Sequence, residues 1–284
     1  MQTIYIGNTL INDVMLGSQR MDDILEINQG INQSVRNYAK AANINDTTVI
    51  NTLDTFVSQL QSNNLYSKFY ALYPLLGASA DSCKYNLIST ASFTLNYTGS
   101  FNFTNTGISG SGTTSNINTS FTPSVNSADW ATNNSFGVYV NTNVTGGYDM
   151  GAESPTPPSA ANADTYLISR FTDDTARFFN SSSLNVASTD SRGFWFGCIS
   201  GSSGTNMNLY KNGTSVASKA SPTTYTITQP LYFTANNLGP GFNANENSKR
   251  QYSLAFIARA FNSTEAATLY TIVQNFQTSL GRNV

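Results

Sequence analysis

Leu209-Tyr210-Lys211-Asn212-Gly213-Thr214-Ser215-Val216 decides the fold. Two runs that suit strands flank an Asn-Gly pair. A two-residue type I′ turn needs positive φ at both central positions, and Asn and Gly tolerate this best. The stretch predicts a β-hairpin. Working outward, the same texture extends from about residue 81 to residue 259. Ser92-Phe93-Thr94-Leu95-Asn96-Tyr97 alternates, as do Phe101-Asn102-Phe103 and Phe136-Gly137-Val138-Tyr139-Val140. Further strands are expected over 166–171, 176–179, 193–199, 207–211, 225–228, 231–235 and 251–258. Many short strands with Gly, Asn and Ser turns indicate a mostly β protein, an antiparallel sandwich or jelly roll. The stretches 109–115 and 153–163 are poor in hydrophobic residues and belong in surface loops.

Two helices frame this block. Asp46 is a good N-cap, and Ile50, Leu53, Val57 and Leu60 recur at helical spacing with Phe56 widening the stripe. Near the end of the chain, Asn262 and Ser263 offer caps and Glu265 sits in the first turn. Leu269, Ile272, Val273, Phe276 and Leu280 form one stripe before Gly281. So amphipathic a helix must cover an apolar surface, most simply an edge or face of the sandwich. Between the two, the aromatic run Leu65 to Gly77 contains Pro74, which predicts a short helical turn leading into an extended segment.

The first residues form a tandem repeat. Tyr5-Ile6-Gly7-Asn8-Thr9-Leu10-Ile11-Asn12-Asp13-Val14 aligns with Met15-Leu16-Gly17-Ser18-Gln19-Arg20-Met21-Asp22-Asp23-Ile24. Each copy reads as a hairpin too small to stand alone, so it must pack on another chain, a neighbouring copy or its own domain. Residues 25–45 are weakly patterned, with a short helix over 31–39 or a linker as the alternatives. The expected division is an attachment and linking region over 1–45 and a sandwich over 46–284.

Composition narrows the chemistry. The 284 residues include no histidine, only 11% are charged, and the formal net charge is −2. No Lys or Arg occurs between Lys84 and Arg170. Counterion release from phosphates needs clustered cations, so no nucleic-acid partner is expected. No apolar run approaches the roughly 20 residues that span a bilayer, and no signal peptide is visible, so neither a membrane nor a secretory route is expected. Cys83 and Cys198 then read as free, structural thiols of a protein folded in a reducing cytoplasm. The Asn-x-Ser/Thr matches at Asn102, Asn118 and Asn212 read as chance in so Asn-rich a chain.

Without histidine, Ser-His-Asp triads, Cys-His pairs and most zinc sites are absent. A glycosidase needs two carboxylates close together. No strand carries acids at alternating positions. Asp22-Asp23 and Asp173-Asp174 are adjacent in sequence, and Asp129, Asp149, Glu153, Asp164, Asp190 and Glu246 stand singly. Adjacent acids point to opposite faces of a strand, so no enzyme is expected. The glycines of Gly107 to Gly112 lack a lysine and read as loop rather than phosphate cradle. Sugar sites on sandwiches combine an aromatic with Asn and Asp. Asp129-Trp130 and Tyr148-Asp149 have those residue types and are the candidate glycan contacts, with a structural role as the competing reading. Calcium is the metal such oxygen-rich sites hold, and no spacing here indicates it.

Three blocks also carry a family resemblance. One runs from Val49-Ile50-Asn51 through Tyr70-Ala71-Leu72-Tyr73-Pro74-Leu75-Leu76-Gly77 to Lys84-Tyr85-Asn86-Leu87. The second joins Asn208-Leu209-Tyr210-Lys211-Asn212-Gly213 with Ala235-Asn236-Asn237. The third is Ala255-Phe256-Ile257 through Val273-Gln274-Asn275-Phe276-Gln277-Thr278-Ser279-Leu280-Gly281-Arg282, and it is the most specific. In these the chain resembles tailed-bacteriophage virion proteins with a lectin-like, concanavalin A-type sandwich. Two departures are Ala78-Ser79-Ala80 where the family tends to carry Gly-Thr-Ala, and the missing histidine near Cys83. The resemblance implies a multimeric virion component, made in the bacterial host cytoplasm and displayed on tail, neck or head. It brings no catalytic residues. Tyr5, Ile6, Gly7, Leu10, Val14, Leu16, Gly17 and Ile24 would then attach the chain to other virion proteins. The expected partners are those proteins, further copies of this chain, and host surface glycans. A decoration or scaffold protein with no ligand and a polysaccharide depolymerase are the competing readings.

Overall fold

The computed structural model describes residues 4–6, 9–11, 30–112, 114–154, 163–180, 183–201, 206–220, 227–238 and 247–284. At the N-terminus β1 (Ile4–Ile6) pairs antiparallel with β2 (Thr9–Ile11), Ile6 facing Thr9. This matches the first copy of the repeat. Of the expected attachment residues, Gly7, Val14, Leu16, Gly17 and Ile24 lie outside the described residues.

Helices α1 (Gln33–Ala41) and α2 (Thr47–Ser62) follow, and a 3-10 turn at Tyr66–Lys68 leads directly into strand β3 (Phe69–Tyr73). The Asp46 carboxylate caps α2, accepting from the backbone N–H of Thr48 at 2.8 Å and of Val49 at 3.3 Å. Next come short helix α3 (Ala80–Cys83), strands β4 (Asn96–Thr98), β5 (Phe101–Thr104), β6 (Gly107–Gly110) and β7 (Asn116–Asn118), and short helix α4 (Pro123–Asn126). The remaining strands are β8 (Asn134–Val140), β9 (Met150–Ser154), β10 (Ala163–Ile168), β11 (Thr175–Asn180), β12 (Ser183–Ala187), β13 (Gly193–Ser200), β14 (Asn206–Lys211), β15 (Thr214–Lys219), β16 (Tyr232–Phe233), β17 (Asn236–Asn237) and β18 (Gln251–Ala258). Helix α5 (Ser263–Ser279) closes the chain. Its N-cap is a capping box in which Asn262 and Glu265 each satisfy the other's backbone N–H.

The strands form an antiparallel sandwich with one parallel pairing, β17 on β9. One sheet runs β15-β14-β13-β8-β18-β6-β5, with β3 also on β18. The other runs β12-β11-β10-β9-β16-β7-β4. The Asn-Gly hairpin is as expected: Lys211 faces Thr214, and Asn212 and Gly213 have φ of 50° and 76°. Some expected strands are shorter or displaced. Phe93 turns at φ 56°, so of the 92–97 stretch only Asn96 and Tyr97 join a sheet, in β4. Residues 227–228 are irregular, and 225–226 lie outside the described residues.

Two apolar clusters explain the sequence texture. Between the sheets, Phe136, Val138, Trp195 and Leu209 meet Met150, Leu167, Phe178 and Phe233. On the other face of the first sheet, Tyr139, Phe194, Phe196, Leu254 and Phe256 pack against Val35 and Tyr38 of α1, Leu53 and Phe56 of α2, and Leu269 and Phe276 of α5. Phe56 and Phe276 stack with ring centroids 4.3 Å apart. Strands β8, β13 and β18 are thus buried on both faces and lose the alternation that a half-exposed strand keeps. Helix α1 shares this cluster, so residues 33–41 are part of the sandwich unit rather than linker. The helix-packed cluster contains no residue of the second sheet, whose outer face no described helix covers. No described helix is long and apolar enough to cross a membrane.

Candidate functional site

The register of the second sheet gives its outer face a distinct chemistry. Met150 and Ala152 of β9, Leu167 of β10 and Phe178 of β11 point into the inter-sheet core. Their alternates Gly151, Glu153, Asp164, Tyr166 and Phe179 therefore point outward. Tyr166 pairs with Gly151 on one side and Phe179 on the other. Its ring stacks on Phe179 at 5.1 Å with planes 9° apart, and it makes a T-shaped contact with Tyr148 at 5.0 Å. All three rings are half-buried and belong to neither core. Tyr232 of β16, opposite Gly151, extends the aromatic surface.

Gly151 is required by its neighbours. A Cβ there would stand 2.5 Å from Asn236 Oδ1 and 2.7 Å from Tyr166 Cβ. The side chain of Asn236 is thus pressed onto this face beside Tyr166. Asn236 is 3% exposed and its Oδ1 has no hydrogen-bond partner among the described residues. Asn247, bridged in parallel to Tyr148, is 4% exposed, and neither its Oδ1 nor its Nδ2 has a hydrogen-bond partner among the described residues. Buried amide atoms left unsatisfied cost on the order of 1–3 kcal/mol each, so these beside a set of half-buried rings mark a place suited to a polar ligand.

On the same face Glu153 stands directly opposite Asp164. Facing residues on antiparallel strands have Cβ atoms about 4.5–5.5 Å apart. Burial raises the Glu153 carboxyl above its ordinary value. No ion pair joins Glu153 to a cation among the described residues. At the far end of the face, Arg170 and Arg177 are committed to Asp174 at 2.7 Å and Asp173 at 2.5 Å, and Arg177 also stacks on Phe171. Chemically, the face offers ring surface for C–H stacking, amides for hydroxyls, and a pair of facing carboxylates.

The residues singled out from sequence divide. Tyr148 lies on this face. Asp149, its neighbour, is fully buried and points the other way, into an ion pair with Arg250 at 2.9 Å, so it meets no surface ligand. Trp130 is 3% exposed in the inter-sheet core against Phe121 and Phe136, which removes it as a surface ring. Asp129 accepts hydrogen bonds from Asn133 at 2.7 Å and Ser127 at 3.1 Å and so organises its own turn. Sequence reasoning missed Tyr166, Phe179, Asn236 and Asn247 as site residues. It noted Glu153 and Asp164 but read them as isolated, because they come together only across strands. Cys83 and Cys198 are free and buried. A separate groove of about 360 Å³ between α2 and α5, lined by Asn51, Thr55, Gln59 and Asn275, carries no titratable group. No group of three or more metal-ligating acids, cysteines or histidines occurs among the described residues.

No family model and no curated protein matches the chain. Solved structures do. Trypanosoma rangeli sialidase in complex with sialic acid aligns over 78% of this chain at 10% identity and a TM-score of 0.53. A mutant of that sialidase displaying trans-sialidase activity aligns over 80%, at 10% identity and a TM-score of 0.51. A weaker likeness, TM-score 0.45 at 13% identity, joins 72% of this chain to 98% of domain 4 of a GH43 extracellular arabinanase from Geobacillus stearothermophilus, in complex with arabinotriose. The chain spans only 38–39% of the length of those sialidases. The two sialidase likenesses show a shared sandwich fold. They also correct the expectation that the chain is no enzyme, because sialidases contain this fold. The geometric premise of that expectation fails as well: Glu153 and Asp164 do face each other on one sheet surface.

Proposed function

We propose that this chain is a carbohydrate-binding β-sandwich whose ligand lies along the outer face of the second sheet, over Tyr166 and Phe179. The observation that carries this reading is the stacked Tyr166–Phe179 pair, in edge contact with Tyr148, beside Asn236 Oδ1 and the Asn247 amide, which have no hydrogen-bond partner among the described residues. A sugar presents an apolar C–H face to a ring and hydroxyls to amides, so both halves of the site find partners at once. The fold it shares with sialidases, one of them solved in complex with sialic acid, supports the same reading. Glycan-array binding by the intact chain tests it. Tyr166→Ala should lower affinity about tenfold or more, while Asn51→Ala in the groove between the helices leaves it unchanged. Equal binding by wild type and Tyr166→Ala would overturn the reading.

The facing Glu153 and Asp164 favour one second reading, hydrolysis of a glycosidic bond at the same face, in which one acid protonates the leaving oxygen while the other assists attack. Reducing ends released during the binding assay would detect it.

The biological setting follows the sequence resemblance. In this reading the chain is a component of a tailed-phage particle, moored through Tyr5, Ile6, Gly7, Leu10, Val14, Leu16, Gly17 and Ile24 to other virion proteins and repeated in several copies. Weak contacts with host surface glycans would then add through avidity. The support is the three sequence blocks and the N-terminal repeat. A chain truncated before residue 25 should fail to incorporate into particles, and normal incorporation would refute the mooring.

A further inference from the structure

The charge on the proposed glycan face narrows its ligand beyond carbohydrate in general. Glu153 is half-buried, faces Asp164 across the strand pair, and has no cationic partner among the described residues. The cations that share this face, Arg170 and Arg177, sit beyond Tyr166 at its other end, each held by its own aspartate. An acidic sugar placed over Tyr166 would bring its carboxylate toward like charge, with no free guanidinium to receive it in a bidentate fork. A partly desolvated carboxylate gains most from a ligand that supplies a positive charge. The neighbouring Asn236, 3% exposed, carries an Oδ1 with no hydrogen-bond partner among the described residues; it is an acceptor and calls for the same kind of group, an N–H or O–H donor.

Resting on the reading above, we infer that this face selects glycans bearing free amino groups, of the de-N-acetylated hexosamine class, and rejects sialic and uronic acids. The protonated amine lies between Glu153 and Asp164, and the sugar ring covers Tyr166. The preference arises from partly exposed charges, so it is modest, about threefold to tenfold, and salt weakens it.

Calorimetry of the intact chain with glucosamine tetrasaccharide, N-acetylglucosamine tetrasaccharide and tetragalacturonate, at low and high salt, tests the inference. The amine-bearing ligand should bind tightest and the acid weakest, and the difference should shrink as salt rises. In Glu153→Gln, a near-isosteric change at a half-buried position, the ratio of amine to N-acetyl affinity should fall to about one. Asp164→Asn provides a second variant with the same expected direction. Tetragalacturonate binding as tightly as the amine, or a ratio unchanged in both variants, would overturn the selectivity and leave the carbohydrate reading standing. Binding of none of the three, nor of any glycan on the array, would remove both.

Discussion

Changing Asp149 to Asn keeps the shape of the side chain and removes its charge. Asp149 and Arg250 are both fully buried, 2.9 Å apart. The Arg250 guanidinium also donates to the carbonyls of Val144 at 3.0 Å, Gly147 at 3.1 Å and Arg170. The Asp149 carboxylate accepts from Tyr252 Oη at 2.6 Å and from the Ser169 backbone N–H. At 2.9 Å and an effective dielectric constant near 20, the Coulomb attraction is about 6 kcal/mol. Breaking one side of a buried pair typically costs about 3–5 kcal/mol, because the remaining charge stays uncompensated. Against a total stability of roughly 5–15 kcal/mol, Asp149→Asn should remove about a fifth or more. Urea unfolding followed by fluorescence, with the slope held constant, measures it. Arg250→Met should be worse still, since several backbone carbonyls lose their donor. The double variant should cost about 3 kcal/mol less than the sum of the singles. A loss below about 1 kcal/mol for Asp149→Asn, or additivity within about 0.5 kcal/mol, would refute the reasoning that each buried charge depends on the other.

Three other outcomes are expected. Gly197→Ala should destabilise by about 1–3 kcal/mol in thermal melts, because the added methyl would collide with the Phe178 ring where the two sheets meet. Burial pushes the Cys198 thiol up to about 12. Its alkylation at pH 8 in the native protein should therefore run at least about a thousandfold slower than that of a free thiol, and recover in urea. The side-chain hydrogen bond from Arg192 lowers the Asp190 carboxyl to about 2. Its folded value lies below the unfolded one, so its stabilisation is full above about pH 4 and disappears as pH falls toward 2. Acid titration of stability should show a slightly smaller acid loss in Asp190→Asn.

Much of the architecture follows from local chemistry written in single segments. Asn212-Gly213 supplies the positive φ pair for its turn, Asp46 and Asn262 supply caps, and the Ile50–Leu60 and Leu269–Phe276 stripes supply the helix faces. These signals need no partner, so the sequence alone determines a β-sandwich framed by two helices. Helix α1 was less legible because only Val35, Tyr38 and Ala39 are buried in a short polar segment, and their packing comes from other elements of the helix-packed cluster.

The site was decided by register, which no single segment encodes. Glu153 and Asp164 stand eleven positions apart in sequence and face each other only because β9 and β10 pair antiparallel at that offset. Asp149 and Tyr148 illustrate the same limit from the other side. Sequence grouped them as one candidate, yet successive residues of an extended chain point in opposite directions, and the sheet sent the ring to the surface and the carboxylate to Arg250. Residue type fixes what a side chain can do. Which face it reaches, and which distant residue meets it there, is set only once the strands are aligned.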